Sequence, residues 1–185
     1  FRGKELVDAI LTLPLVLPPT VTGYYLIVLL GRRGLLGHYI NELTGWSFAF
    51  TWQGAVVAAV VVSLPLMIKA SRASIESVGP QYELASYTLG KGRFETFLRV
   101  TLPLARRGIY AGLVLAFARA LGEFGATLMI AGNIPEKTQT MPLAIYEAVA
   151  SGNEAQAQML ALVLTAVSIA AVYLTNRISR SQVHG

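Results

Sequence analysis

The sequence predicts an all-α, polytopic helical membrane protein, and two observations carry that expectation. The first is composition: 54% of the 185 residues are hydrophobic and only 14% are charged, whereas a soluble domain holds about 45–50% and about 25%. The second is the spacing of the charges. Uncharged runs extend from Ala9 to Gly31, from Leu43 to Ile68 and from Ala155 to Asn176, with 23, 26 and 22 residues, and about 20 helical residues cross the hydrocarbon of a bilayer. A fourth apolar stretch, Gly108 to Ala131, carries only Arg119 and Glu123. Short buried core helices account for one such run, but poorly for three in so short a chain. At least four spans are expected, at 9–31, 49–68, 104–131 and 155–176, within one transmembrane domain that covers residues 1–185.

Charge placement sets the orientation and removes a rival class. Fifteen Lys and Arg against ten Asp and Glu give a net charge of +5, which in a soluble chain would suggest nucleic acid as a partner. Here the cations collect on one side of the expected spans. With the Lys69 to Arg107 segment placed in the cytoplasm, the inside holds Arg2, Lys4, Lys69, Arg72, Lys91, Arg93, Arg99, Arg106, Arg107, Arg177 and Arg180. The outside holds Arg32, Arg33 and Lys137, so the positive-inside bias is strong and the amino terminus is cytoplasmic. Trp46 and Trp52 fall where an outer aromatic belt would lie. The chain has no cysteine and only two histidines, His38 and His184, which excludes disulfide frameworks, thiol nucleophiles and zinc-ligand spacings. It starts at Phe1 with charges and no cleavable signal pattern, and it shows no internal repeat or low-complexity linker.

Two constellations lie inside the spans. Pro14, Pro18 and Pro19, followed by Thr20, fall within the first run; proline removes an amide donor and clashes with the preceding turn, so this helix is broken or kinked. Such a break fits either a translocation path, where irregular backbone lines a wet cavity, or a packing kink. Arg119 and Glu123 are four residues apart, which puts both on one helix face, able to pair and directed to the protein interior or to water. They mark a functional face that includes Thr127, or a structural clamp. Gly122 and Gly125 beside them would admit a neighbouring helix at close range.

Residues 70–103 form the extended cytoplasmic piece. Pro80 suits the first turn of a helix and Gly90 its left-handed stop, which delimits a helix from Gln81 to Leu89. Phe94, Phe97 and Leu98 give the stripe of a second short helix before Leu102-Pro103 opens the next span. Two short helices on a glycine turn make a knob, either plugged into a partner protein or lying on the membrane surface. On the other side of the membrane, Asn133, Pro135 and Pro142 predict ordered turns rather than a helix over Gly132 to Gly152.

The knob resembles the cytoplasmic loop of the permease subunits of ABC importers, with their type I fold. The family pattern is Glu-Ala-Ala, three residues, Gly, nine residues, Ile, one residue, Leu-Pro. Ala85 and Ser86 stand at the two alanine places, Gly90 at the glycine, Val100 at the isoleucine, and Leu102-Pro103 at the end. Leu84 stands where the glutamate is usually written, with Glu83 one place upstream. Within that family the runs 13–19, 117–127 and 132–146 are similar to those of molybdate permeases, and less so to sulfate permeases.

That resemblance implies that Glu83, Ala85, Ser86, Gly90, Val100, Leu102 and Pro103 form a coupling helix and loop docked on an ATP-hydrolysing subunit. Pro14, Pro18, Pro19, Thr20, Arg119, Glu123 and Thr127 are then the candidates for the path or gate. It further implies a first span upstream of residue 1, a homodimer of permeases, two ATP-binding subunits and an extracytoplasmic oxyanion-binding protein. No Gly-x-x-x-x-Gly-Lys-Ser/Thr loop is present, so ATP and magnesium are expected on the partner subunit and no cofactor on this chain. The expected role is therefore non-enzymatic: import of molybdate or tungstate across the inner membrane, with sulfate or another oxyanion as the alternative cargo. A passive channel would need no coupling knob, and a membrane-embedded enzyme would need a richer titratable cluster than Arg119 and Glu123.

Overall fold

The computed structural model describes residues 3–180; Arg2 and His184 lie outside them, as does the Arg180 side chain. Every regular element among the described residues is helical. In chain order these are α1 (Lys4–Val16), α2 (Pro19–Leu30), α3 (Gly37–Thr44), α4 (Trp52–Glu76), α5 (Pro80–Thr88), α6 (Arg93–Thr96), a π-helical stretch Phe97–Thr101, α7 (Leu102–Leu121), α8 (Gly125–Ala131), α9 (Met141–Ala150) and α10 (Glu154–Arg180). Among the described residues, three helices are long and apolar enough to cross a membrane: Trp52–Glu76, Arg93–Leu121 and Glu154–Leu174. The pair α1 and α2 adds a fourth if it is counted as one broken span, for the two are bent by 117°.

The bend follows from local chemistry. A residue that precedes proline is pushed out of the helical region. Leu17 precedes Pro18 and Pro18 precedes Pro19, and their ψ angles of 145° and 136° are extended. Pro19 then occupies the first turn of α2, where its missing N–H costs nothing. Pro14, by contrast, sits inside α1 without ending it.

Three expectations need correction. The apolar stretch 104–131 is not one helix: α7 stops at Leu121, and α8 starts afresh at Gly125 because the Glu123 carboxylate captures an N–H of the new first turn. Phe94, Phe97 and Leu98 do not belong to a separate short helix. The chain is helical without interruption from Arg93 to Leu121, and a π turn, in which Leu102 N–H reaches back to Phe97 O, lies just before Pro103. Proline has no N–H and crowds the carbonyl four residues back, and the wider π turn accommodates it. Finally, Gly132 to Gly152 is not all turns. Pro142 initiates α9 from the N-terminal position that proline favours, rather than breaking the chain there.

The chain divides into two compact units, one of Phe1–Pro65 with Arg119–Ile169 and the other of Leu66–Ala118 with Ala170–Gly185. The core of the first is built mainly from small residues: Ala55, Ala58, Ala126 and Ala131 with Leu26, Val62 and Ile130. Its most extensive helix pairing is α2 on α8. A Cβ placed on Gly23 would stand 2.7 Å from Met129 Cβ and 2.8 Å from Ala126 Cα, so only glycine lets the two backbones approach this closely. In the second unit, α4 and α7 meet through Ser74, whose Oγ donates to Ala105 O at 2.7 Å, and through Gly112 facing Ala70.

The α2–α8 contact predicts an asymmetry. Gly23→Val has no space to expand into and should cost the purified permease at least about 1–3 kcal/mol of stability, whereas Val60→Ala, on an exposed face, should be near neutral. Thermal unfolding in detergent micelles compares them, and equal melting temperatures would refute the close packing.

Candidate functional site

Two constellations hold the residues singled out above, one in each unit. The first is centred on the break between α7 and α8. Arg119 stands in the last turn of α7, and Glu123 lies in the non-helical link, not on the same helix as the spacing suggested. The pair forms nevertheless: Arg119 Nη1 is 3.0 Å from Glu123 Oε2. Glu123 Oε1 accepts a hydrogen bond from Ala126 N–H at 2.8 Å. Each carboxylate oxygen therefore has its own partner, and the negative group sits at the N-terminus of α8, where the exposed amide groups favour it. The glutamate side chain is 2% exposed against 33% for the arginine, so one end of the pair is sealed and the other reaches the surface.

A cavity of about 280 Å³ adjoins this link, lined by Glu123, Thr127, Thr140, Pro142, Ala55 and Ala59 among others. Thr140 Oγ1 is buried there without a hydrogen-bond partner. Of the path candidates, Glu123 and Thr127 line this cavity, while Arg119, Pro14, Pro18, Pro19 and Thr20 do not. Pro19 and Thr20 come close by another route. A Cβ on Gly125 would stand 3.1 Å from Pro19 Cβ and from Thr20 N, so the proline elbow rests on the first residue of α8. Gly125 thus admits a close neighbour, but Gly122 faces no other helix. Thr140 carries no signal in the sequence, because a threonine beside Gln139 and Met141 is indistinguishable from a loop residue until α9 folds back.

The second constellation is the knob. Helix α5 begins at Pro80, one residue earlier than expected, and Gly90 follows it with φ of +77°, a left-handed turn with open space around it. Ser86 Oγ and Thr96 Oγ1 are 2.8 Å apart and buried, and Thr101 Oγ1 donates to Glu83 Oε1 at 2.7 Å. These two bonds fasten α5 along its length to the 96–101 stretch. Lys91 Nζ lies 2.8 Å and Arg99 Nη1 3.2 Å from Glu95 Oε1, so one carboxylate holds both cations. Ala85, Ser86 and Val100 line one concavity of about 320 Å³, together with Tyr82 and Leu89. Leu102 continues the helix and Pro103 is exposed on it. Motif spacing pointed to Ser86 and Glu83 but not to their partners Thr96 and Thr101. Thr96 falls between Phe94 and Phe97 of the apolar stripe, which was the available sign for it.

Residues 1–183 match a family described as the inner membrane component of binding-protein-dependent transport systems. The chain belongs to that family. It is 46% identical over 181 residues to the molybdenum transport system permease protein ModB of Escherichia coli K12, which covers 97% of this chain and 79% of the relative. The ModB of Haemophilus influenzae is 44% identical with the same coverage. That of Azotobacter vinelandii is 42% identical over 160 residues, 86% of this chain and 71% of the relative. These relatives bear the names of transport permeases, not of ATPases or other enzymes. As a family member with several membrane-spanning helices, the chain is a multi-pass membrane component of a binding-protein-dependent ABC importer with the type I permease fold.

The two bonds of Glu123 make separable predictions. Glu123→Ala leaves a guanidinium and an amide unpartnered and should destabilise the permease by about 3–5 kcal/mol; Glu123→Gln keeps an acceptor for Ala126 N–H and should cost less. Exchanging the charges, Arg119→Glu with Glu123→Arg, sets a guanidinium donor against that amide and should not restore the melting temperature. Rescue by the exchange would show that pairing alone matters and that α8 needs no cap.

Proposed function

We propose that this chain is the membrane-spanning permease subunit of an ATP-driven importer that carries molybdate or tungstate inward. The observation that carries this reading is its identity of 46% to a molybdenum transport permease along 97% of its length, and a rigid cytoplasmic knob supports it. Two copies form the pore. Two ATP-binding subunits hold ATP and magnesium, and this chain binds no cofactor. An extracytoplasmic oxyanion-binding protein delivers the cargo to the outer mouth, near the loop Gly132 to Gly152.

In this reading the knob is the coupling element, and its internal bonds divide the labour among its residues. Glu83 and Ser86 are occupied within the knob and act as positioning residues. The exposed Ala85, Leu89 and Gly90 are left to meet the ATPase, with Val100, Leu102 and Pro103 tying the knob to the pore helix. Closure of the ATPase pair displaces the knobs and switches the pore between outward-open and inward-open states. In the pore, Pro14, Pro18, Pro19 and Thr20 shape the elbow, while Glu123 with Arg119 and Thr127 border the path or its gate.

Uptake by proteoliposomes containing the full assembly tests the reading. Accumulation of molybdate should require ATP and the loaded binding protein, and should exceed that of sulfate; ATP-independent flux or a preference for sulfate would replace it. Within that assay, Gly90→Val forces a β-branched residue into a left-handed turn at about 1–2 kcal/mol or more. It should leave the complex assembled but abolish the response of ATP hydrolysis to binding protein. Normal stimulated uptake by this variant would remove the coupling role from the knob.

A further inference from the structure

A cavity of about 710 Å³, outside these two constellations, lies in the first unit beyond the C-terminal end of α2. It is lined by Arg32, Arg33 and Lys137, with Trp46, Ser47 and Phe50, and no Asp or Glu lines it. These are the three cations that the charge distribution places outside, drawn from two turns 104 residues apart in sequence. Among the described residues, none of the three has a salt bridge, a side-chain hydrogen bond or an aromatic stacking partner.

Arginines after a helix often serve only to satisfy its last carbonyls. Here the backbone already serves three of those carbonyls. Ile27 O accepts from Gly31 N at 2.8 Å, Val28 O from Leu35 N at 3.0 Å, and Leu29 O from Leu36 N at 2.8 Å. The chain folds back so tightly that a Cβ on Gly34 would stand 2.7 Å from Val28 O, so Arg32 and Arg33 project from a rigid turn. Lys137 is fixed in the same manner: Ile134 O accepts from the N–H groups of Lys137, Thr138 and Gln139, and Thr138 Oγ1 accepts from Ile134 N–H. Between the turns, Phe50 is held at φ of 58°, an uncommon conformation for a bulky residue, by the bond from its N–H to Ile130 O at 2.9 Å. Three unpaired cations, carried on fixed backbone turns around one carboxylate-free hollow, are complementary to a small multiply charged anion.

We propose that this cavity is a binding site for a compact oxyanion: the phosphate of an outer-leaflet lipid head group, or a free dianion awaiting the pore. The free-anion arm rests on the transport reading; the site itself does not. The test uses the complete permease–ATPase complex, without nucleotide, in nanodiscs. Tungstate binding is measured by equilibrium dialysis in zwitterionic lipid, and retention of phosphatidylglycerol by native mass spectrometry in mixed lipid. Replacing Arg32→Gln with Arg33→Gln should weaken one of the two by about tenfold or more, with Lys137→Gln weakening the same one. The arm that is lost names the source. Arg32→Lys with Arg33→Lys should keep most of the binding and controls for folding, and Lys69→Gln, outside the cavity, should change neither. Undiminished binding of both probes, no binding of either by the unsubstituted complex, or an effect confined to capture of the binding protein would overturn the site. Normal molybdate uptake together with any of those results would sink the site alone. Failed uptake with intact cation-dependent binding would sink the transport reading and leave the site standing.

Discussion

One buried carboxylate holds the membrane part of this protein in its broken form. Inside a bilayer no water is available to satisfy a helix terminus, so a chain that interrupts a helix at that depth must supply partners from itself. Glu123 does so twice, with one oxygen on the guanidinium that ends α7 and the other on the amide that begins α8. The break in turn lets α8 come back onto α2 and lets Gly125 receive the proline elbow. The arrangement of α2, α8 and the alanine core thus depends on a charge whose own burial is tolerated because both its oxygens are occupied.

The knob obeys a related rule on the wet side of the membrane. A helix of nine residues is too short to persist alone in water, and α5 has only modest apolar surface to bury. Its order comes from two side-chain bonds, Ser86 to Thr96 and Thr101 to Glu83, and from its continuity with a long helix through the π turn. The polar residues at the motif positions, Glu83 and Ser86, are therefore internal fasteners of the knob. Family membership names the assembly, and the bonds explain how a short exposed segment keeps one shape.

What the sequence disclosed and what it concealed divide along physical lines. Long uncharged runs, the prolines at 18 and 19 and the Pro80-to-Gly90 frame are local signals, and the helices, the 117° bend and the left-handed turn at Gly90 follow from them. The Arg119–Glu123 pairing was legible from spacing, though for a partly mistaken reason: the two meet across a helix end, not along a helix face. Concealed features are those that need a second segment for their meaning. Pro142 reads as a breaker until its position at the start of α9 is known, and Leu102-Pro103 as a boundary until the π turn accommodates it. Thr96, Thr101 and Thr140 are unremarkable until their surroundings are folded. The shared cavity of Arg32, Arg33 and Lys137 joins residues that no window on the sequence would compare.

The alanine-dominated core has an implication for how this protein can change over time. Where a core is filled by large side chains, truncation opens a void and is the damaging direction. Ala55, Ala58, Ala126 and Ala131 have almost nothing to truncate, and their backbones already lie close to their neighbours. Substitutional freedom at these positions is therefore one-sided: descent to glycine alters flexibility by about 1 kcal/mol at a helical site, while any larger residue demands that whole helices separate. Drift in this lineage should be channelled to the lipid-facing surface, where volume is unconstrained, and neighbouring core positions should change only in concert.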